Sequence, residues 1–286
     1  MSKARLTRRD AIKSGAFAAS AATLAGPFGT FARAAEPVWI PISVQLYSVR
    51  RHMKGDGYVK TIQKLGAMGF EGVEFAGYGK FGKKPEELKK VLDDAGVKAA
   101  ATHIGAFHLE GGINQAIEFH QAIGCRLLIV PGDGRFTHKE KSKQFAEMMN
   151  KASAKLKPHG MWCGYHNHSR EFKEAENGKT WWDLFAERTD QRVVLQQDVG
   201  WTTVAGKDPA KYVRKYPGRT LTTHCKAKLP RGAKGKGKEP IIGKDTIDWK
   251  TLIKAYYEVG GTKWMSVEQE DYPKGMTPLQ ATEASF

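Results

Sequence analysis

Residues 97–132 read VKAAATHIGAFHLEGGINQAIEFHQAIGCRLLIVPG, and the fold turns on how this stretch divides. VKAAATHI (97–104) and CRLLIVPG (125–132) are short apolar runs containing β-branched residues. Near-continuous runs of this kind suit strands buried on both faces. Between them INQAIEFHQAIG (113–124) is helical and closes on Gly124. A strand, a helix and a second buried strand form a crossover unit, which sets the two strands parallel.

The unit recurs in both directions. ISVQLYSV (42–49) and EGVEFAGY (71–78) are the first two strands; the helix between them includes YVKTIQKLGAMG, closed by Gly69. PEELKKVLDDAG has Pro85 at a helix start and Gly96 at its end. After the fourth strand a long helix covers 139–157, then MWCGYHNH (161–168) is the fifth strand and TWWDLFAERT is helical. RVVLQQDVG (192–200), RTLTTHCKAK (219–228) and KWMSVEQE (263–270) are strands six to eight, separated by the helices DPAKYVRKYPG and IDWKTLIKAYYEVG. A short last helix starts near Thr277. Eight strand–helix units in this length fit an α/β fold of the closed (β/α)8 TIM-barrel type. A doubly wound open sheet is the alternative, but no glycine-rich phosphate fingerprint follows the first strand.

The N-terminus is read separately from the fold. LTRRDAIKSGAF contains Arg8 and Arg9, an Ala/Gly/Ser-rich run continues to Phe31, and Ala32–Ala34 form a small-x-small cleavage site. Residues 1–34 therefore read as a twin-arginine signal peptide and 35–286 as the barrel domain. The chain is expected to be exported, periplasmic or extracellular. The leader run, broken by Gly26 and Pro27, is too short and polar to span a bilayer, and no span is expected in the mature chain. The three cysteines, Cys125, Cys163 and Cys225, do not form a disulfide framework. Free thiols in an exported protein agree with folding in the reducing cytoplasm before export.

The formal charge is +16. The leader holds six Lys/Arg against one Asp, which leaves +11 for the mature chain. Much of that excess lies in KAKLPRGAKGKGKEPIIGK (226–244), read as a solvated surface loop rather than a nucleic-acid contact.

Ionisable residues gather where the strands end: Gln45, Tyr47, Glu74, His103, Asp133, His166, His168, Asp198, His224, Lys226, Glu268 and Glu270. That is the end at which such barrels carry their sites. Carboxylates buried there without partners are costly. One divalent cation satisfies several at once, and Asp, Glu and His without thiolates suit Mn²⁺, Co²⁺, Mg²⁺ or Zn²⁺. In GYHNHSREF (164–172), His166 and His168 are expected to share one face of the strand. A metal ligand with a proton-transfer partner is one reading; two core histidines held by backbone groups is the other.

SVQLYSVR, GFEGVEF, GYHNHSREF, QQDVGW, THCKAK and VEQE, in this order on successive strands, resemble the sugar phosphate isomerase/epimerase superfamily of xylose-isomerase-like barrels. The resemblance covers the whole mature chain. It implies one divalent metal held by four residues from strands five to eight. By position, Asp198, His224 and Glu268 match three of them. The fourth is usually a Glu ending strand five, where this chain has His166; either His166 ligates, or Glu171 folds back, and Glu171 is preferred because it restores the usual charge. His168 matches a substrate-facing histidine of related dehydratases. Lys226 points with His224 and is expected to hold an anionic oxygen, unless it opens the basic loop. His103 either touches substrate or is structural. Trp162, Trp201 and Trp249 either pack the barrel or form a sugar-stacking wall.

The implied activity is a divalent-metal-dependent sugar isomerase or epimerase working through an enediolate by proton transfer next to a carbonyl. The alternative is a lyase or dehydratase that eliminates from a keto-sugar or 3-keto-glycoside. An endonuclease IV-like nuclease is disfavoured, because Trp201 stands where that motif places histidine. A sugar-binding barrel without catalysis is the remaining alternative. The expected partner is a small sugar or keto-sugar, and the pattern sets no oligomeric state.

Overall fold

The computed structural model describes residues 39–230 and 237–286. The proposed leader, residues 1–34, and the middle of the basic loop, 231–236, lie outside the described residues. Among the described residues ten strands follow one another: β1 (Ile42–Gln45), β2 (Gly72–Phe75), β3 (Lys98–His103), β4 (Leu127–Val130), β5 (Trp162–His166), β6 (Glu174–Glu176), β7 (Lys179–Thr180), β8 (Val194–Asp198), β9 (Thr222–Cys225) and β10 (Trp264–Val267). Eight of them close into a barrel, running β1, β2, β3, β4, β5, β8, β9, β10 and back to β1, and every pairing is parallel. This is the expected (β/α)8 architecture, with helices covering the sheet.

The strands are shorter than the apolar runs that announce them. Gln45 ends β1, and Leu46–His52 continue as a 3-10 helix. β8 stops at Asp198 because its side chain caps the helix Val199–Val204 by accepting from the Trp201 N–H at 2.8 Å. β5 stops at His166, so alternation along one strand does not relate His166 to His168. The final helix, Pro278–Ala284, begins at a capping box made by Thr277 and Gln280.

β6 and β7 form a hairpin outside the barrel, which the strand–helix pattern did not anticipate. Its two-residue turn is Asn177-Gly178, with φ of 53° and 72°. Both residues are left-handed, as a type I′ turn requires.

Most apolar burial lies between barrel and helices. Phe136, Phe145, Tyr165, Trp182 and Phe185 pack on one side, and Ile62, Leu65, Phe75, Leu88 and Leu92 on another. Each such side chain contributes about 1.5–3 kcal/mol by leaving water. Inside the barrel the lower layer is apolar, with Ala101, Leu127, Ile129 and Val194 packed against Trp162, Leu221 and Trp264. Gly164 faces into this closely packed space. A Cβ there would lie 2.5 Å from the Val194 carbonyl oxygen and 2.6 Å from its Cβ. Glycine therefore lets β5 approach β8 and leaves His166, two residues on, at the polar upper level.

Candidate metal centre

Register builds the upper level. Asp198 pairs with His224, and His224 with Ser266, so the three stand abreast on β8, β9 and β10. Glu268 lies two residues beyond Ser266 and shares its face. His166 comes from the end of β5, the neighbour of β8. His166, Asp198, His224 and Glu268 each offer one donor atom, and these atoms all lie within 4.8 Å of one another. All four residues are buried.

Asp198 divides its carboxylate between two tasks. Oδ1 caps the helix, while Oδ2 faces the centre and has no aligned hydrogen-bond donor, although it is buried. The Lys226 Nζ stands 2.8 Å from this oxygen, but its hydrogen bond goes to Glu270 Oε2 at 2.9 Å. Oδ1 thus takes the helix-cap reading of Asp198, and leaves Oδ2 free of that task. A buried carboxylate oxygen whose one close partner is the Lys226 ammonium, among two imidazoles and a second carboxylate, belongs to a donor set that suits one divalent ion.

His224 is gripped from both sides. Nδ1 lies 2.7 Å from Glu268 Oε2, and Nε2 lies 3.0 Å from Glu74 Oε1. Burial opposes its positive charge, but the Glu74 and Glu268 carboxylates overcome that and push its pKa up to about 10. Burial also disfavours the Glu74 and Glu268 charges. In Glu74 the His224 and His103 imidazoles outweigh it, and in Glu268 Lys226 and His224 do so; both acids are held well below the usual range. With Nδ1 turned to the centre, the Nε2–H···Glu74 bond is the carboxylate–imidazole arrangement that orients metal-binding histidines.

His166 is made neutral and pointed by Gln196. The Gln196 amide nitrogen donates to Glu74 at 3.0 and 3.2 Å, which leaves its oxygen to accept. That oxygen lies 3.1 Å from His166 Nδ1 and 2.8 Å from His103 Nε2. His166 therefore carries its proton on Nδ1 and turns the Nε2 lone pair toward Asp198 Oδ2, 3.8 Å away. Burial, with the His224 and His103 imidazoles nearby, drives the His166 pKa far down. Gln196 escaped the sequence reading, although it precedes Asp198 by two residues and so shares its face. Glu74 was recognised as a strand-end acid, but its pairing across the barrel with β8 and β9 required the fold.

Glu171 stands apart from the four donors. In the Arg170–Phe172 turn, its Oε1 accepts from the Tyr165 hydroxyl at 3.2 Å and Arg170 Nε at 3.0 Å, and its Oε2 accepts from the His168 N–H at 2.8 Å. Both oxygens are committed to folding the loop back, and His166 occupies the fourth corner instead. Of the two candidates for the fourth ligand, Glu171 was preferred, whereas it is His166 whose donor atom lies with those of Asp198, His224 and Glu268. Asn167 ties β5 to β8, accepting from the Asp198 N–H at 2.9 Å and donating to its carbonyl at 3.3 Å. His168, partly exposed, stands at the mouth with its ring 5.1 Å from His166 and 5.7 Å from Trp201. Burial lowers its pKa against the opposing pull of Glu171 and Asp198.

Lys226 is buried at 2 % exposure rather than opening the solvated loop. Its Nζ lies 2.8 Å from both Asp198 Oδ2 and Glu268 Oε2. Gly200 permits this: a Cβ there would meet the Lys226 carbonyl oxygen at 2.8 Å and Lys228 Cβ at 2.9 Å. His103 lies below the mouth, 2.9 Å from Glu74 and stacked 5.1 Å from His224. Trp201 borders the mouth under Lys228, whose Nζ is 4.3 Å from the ring centre. Trp162 starts β5 at the opposite end, and Trp249 donates to Asp245 at 2.8 Å; neither reaches the centre.

Comparison with known proteins agrees with the barrel fold. Inosose dehydratase of Clostridium perfringens (strain 13 / Type A) is 24 % identical over 264 residues, covering 79 % of this chain and 87 % of that protein. The structure of a sugar phosphate isomerase/epimerase from Parabacteroides distasonis superposes with a TM-score of 0.74 at 24 % identity, over 88 % of this chain and 93 % of that one. An L-ribulose 3-epimerase structure shares the fold at a TM-score of 0.65 and 13 % identity, over 86 % and 92 % of the two chains. A family model described as "Xylose isomerase-like TIM barrel" matches residues 62–285, and the chain belongs to that family.

Proposed function

We propose that this protein is a divalent-metal-dependent enzyme that removes a proton next to the carbonyl of a sugar and returns it, acting as an isomerase or epimerase. The observation that carries this reading is the four-donor group, His166, Asp198, His224 and Glu268, with the buried Asp198 Oδ2 lacking an aligned donor. The ion these residues would hold, Mn²⁺, Co²⁺, Mg²⁺ or Zn²⁺, would supply Lewis-acid stabilisation of charge on a sugar oxygen. Gln196 and Glu74 hold the two imidazoles in orientation. Lys226, kept positive by three carboxylates, offers an ammonium to an oxygen gaining negative charge. His168, partly exposed with its pKa lowered, is neutral near pH 7 and accepts or returns the proton. Trp201 provides a flat wall beside it.

A second reading is elimination from a keto-sugar, in which the same proton abstraction expels a neighbouring substituent. It is favoured by the Clostridium perfringens relative, which is named a dehydratase. The test is incubation with keto-sugars and 3-keto-glycosides in deuterated water, with Mn²⁺ or Co²⁺ restored after chelation. Deuterium at a single carbon of an isomerised or epimerised product supports the first reading. An unsaturated product supports the second, and absence of exchange in every substrate overturns both.

The leader motif carries the companion proposal that the enzyme works outside the cytoplasm. Blocking the twin-arginine route while the Sec route runs should retain the precursor; normal export under that block refutes it.

A further inference from the structure

A cavity of about 590 Å³ opens at the amino ends of the strands, the end opposite the four donors. Lys98, Leu127, Trp162, Val194 and Trp264, the first residues of β3, β4, β5, β8 and β10, line it. Its volume lies within the range of small-molecule sites and far exceeds an inorganic anion. Two features set the character of a ligand. The walls are apolar, with Trp162, Trp264 and Leu221 joined by Val97 and Ile123. The charge around them is one-sided: Lys98, Arg126, Arg192, Arg219 and Lys263 are cationic, and the lining carboxylate, Asp93, is paired with Lys89 at 2.6 Å.

Among the described residues, Arg219, Arg192, Lys98 and Lys263 have no carboxylate as hydrogen-bond or ion-pair partner. Arg219 is 3 % exposed and donates to the Val193 and Ala186 carbonyls and to Thr189 Oγ1, with no carboxylate among its hydrogen-bond partners. The Arg192 guanidinium lies 4.9 Å from the centre of the Trp162 ring and donates to the Met161 carbonyl at 3.1 Å. Its Nε is buried with no hydrogen-bond partner among the described residues. Lys98 and Lys263 are exposed at the rim without an ion pair among the described residues.

We propose that this cavity is a second binding site, for a small organic anion with a flat aromatic body. The ring lies against the tryptophan faces and the carboxylate, sulfonate or phosphate meets the Lys98, Lys263, Arg126 and Arg192 charges. A neutral aromatic leaves those charges uncompensated, and an inorganic anion leaves the apolar walls wet. Only a molecule with both parts matches the lining.

The test uses the full chain with anilinonaphthalene sulfonate as fluorescent probe. One probe should bind per chain, phenyl phosphate should displace it, and phenol and inorganic phosphate at the same concentration should not. Lys98→Glu with Lys263→Glu, both exposed, should weaken probe binding about tenfold or more while leaving Tm and divalent-ion binding unchanged. Unchanged affinity in that double variant overturns the proposal, as does displacement by inorganic phosphate as readily as by phenyl phosphate. Displacement by a divalent ion or a keto-sugar would place the probe at the other end and also overturn it. Probe binding that follows self-association in sedimentation would assign the cavity to a second copy of the chain and overturn it equally.

Discussion

The two ends of the barrel treat buried charge in opposite ways. At the carboxyl ends, four acids, two histidines (His103 and His224) and Lys226 face one another at 2.7–3.0 Å, so that charges of opposite sign meet across the barrel. At the amino ends, Arg219 and Arg192 sit among tryptophans and aliphatic side chains with carbonyls for company. The upper end balances its charge internally, down to one carboxylate oxygen without an aligned donor. The lower end keeps an excess of one sign. Converging carboxylate and imidazole donors fit a cation; a one-sided excess of positive charge fits an anion.

The contrast breaks most severely at Asp198. Asp198→Ala should abolish divalent-ion binding and lower activity by about three orders of magnitude or more, the scale of several kcal/mol of lost charge stabilisation. Calorimetric titration with Mn²⁺ and turnover measure both, and retention of tight binding would remove the donor group from consideration. His166→Ala should act similarly on ion affinity, whereas Glu171→Gln should leave it nearly unchanged. The Glu171 substitution should instead lower stability by about 1–3 kcal/mol, because buried partners lose their acceptor; denaturant unfolding reads this.

Gln196→Leu and Glu74→Gln should each weaken divalent-ion binding by about 10–100-fold without removing a ligand, since they free the imidazoles they orient. Unchanged ion affinity in both would make that network structural. A milder effect follows from His224. Its pKa, about 10, lies above the ordinary 6.5, so its charge stabilises the fold fully below pH 6.5. That contribution fades as pH rises through about 10. Ion binding at Nδ1 must displace this proton, so affinity should climb with pH across the same interval, by about tenfold per unit at most. Titrations in buffers of different ionisation enthalpy should show about one proton released near pH 7. No release would mean that His224 is neutral before the ion arrives.

The strand order was legible because the barrel strands lie in short apolar runs separated by helical stretches. Asp198, His224 and Glu268 were among many strand-end residues and were singled out by the family resemblance; the structure brings their donor atoms together. The fourth corner was harder. Choosing between His166 and Glu171 depends on a 3-10 turn that commits both Glu171 oxygens to Tyr165, Arg170 and His168. Charge precedent alone favoured Glu171, whose donor atoms lie outside the four-donor group. The expectation that His166 and His168 share a strand face failed for a related reason, since β5 ends at the first of them. Asn177-Gly178 held a clear hairpin signal that is easily lost among the strand–helix units. Glu74 and the cavity at the amino ends belong to a different class. Glu74 meets residues 122 and 150 positions away, and no local pattern encodes such pairs.

The divided carboxylate of Asp198 makes the Trp201 amide a natural reporter. That N–H is held by one oxygen of a residue whose other oxygen serves the centre. Deuterium uptake at this single backbone position should quicken in Asp198→Ala and stay slow in Asp198→Asn, which keeps a capping oxygen while losing a negative charge. Comparing the two variants would separate a frayed helix start from a weakened ion grip, although both begin at the same side chain.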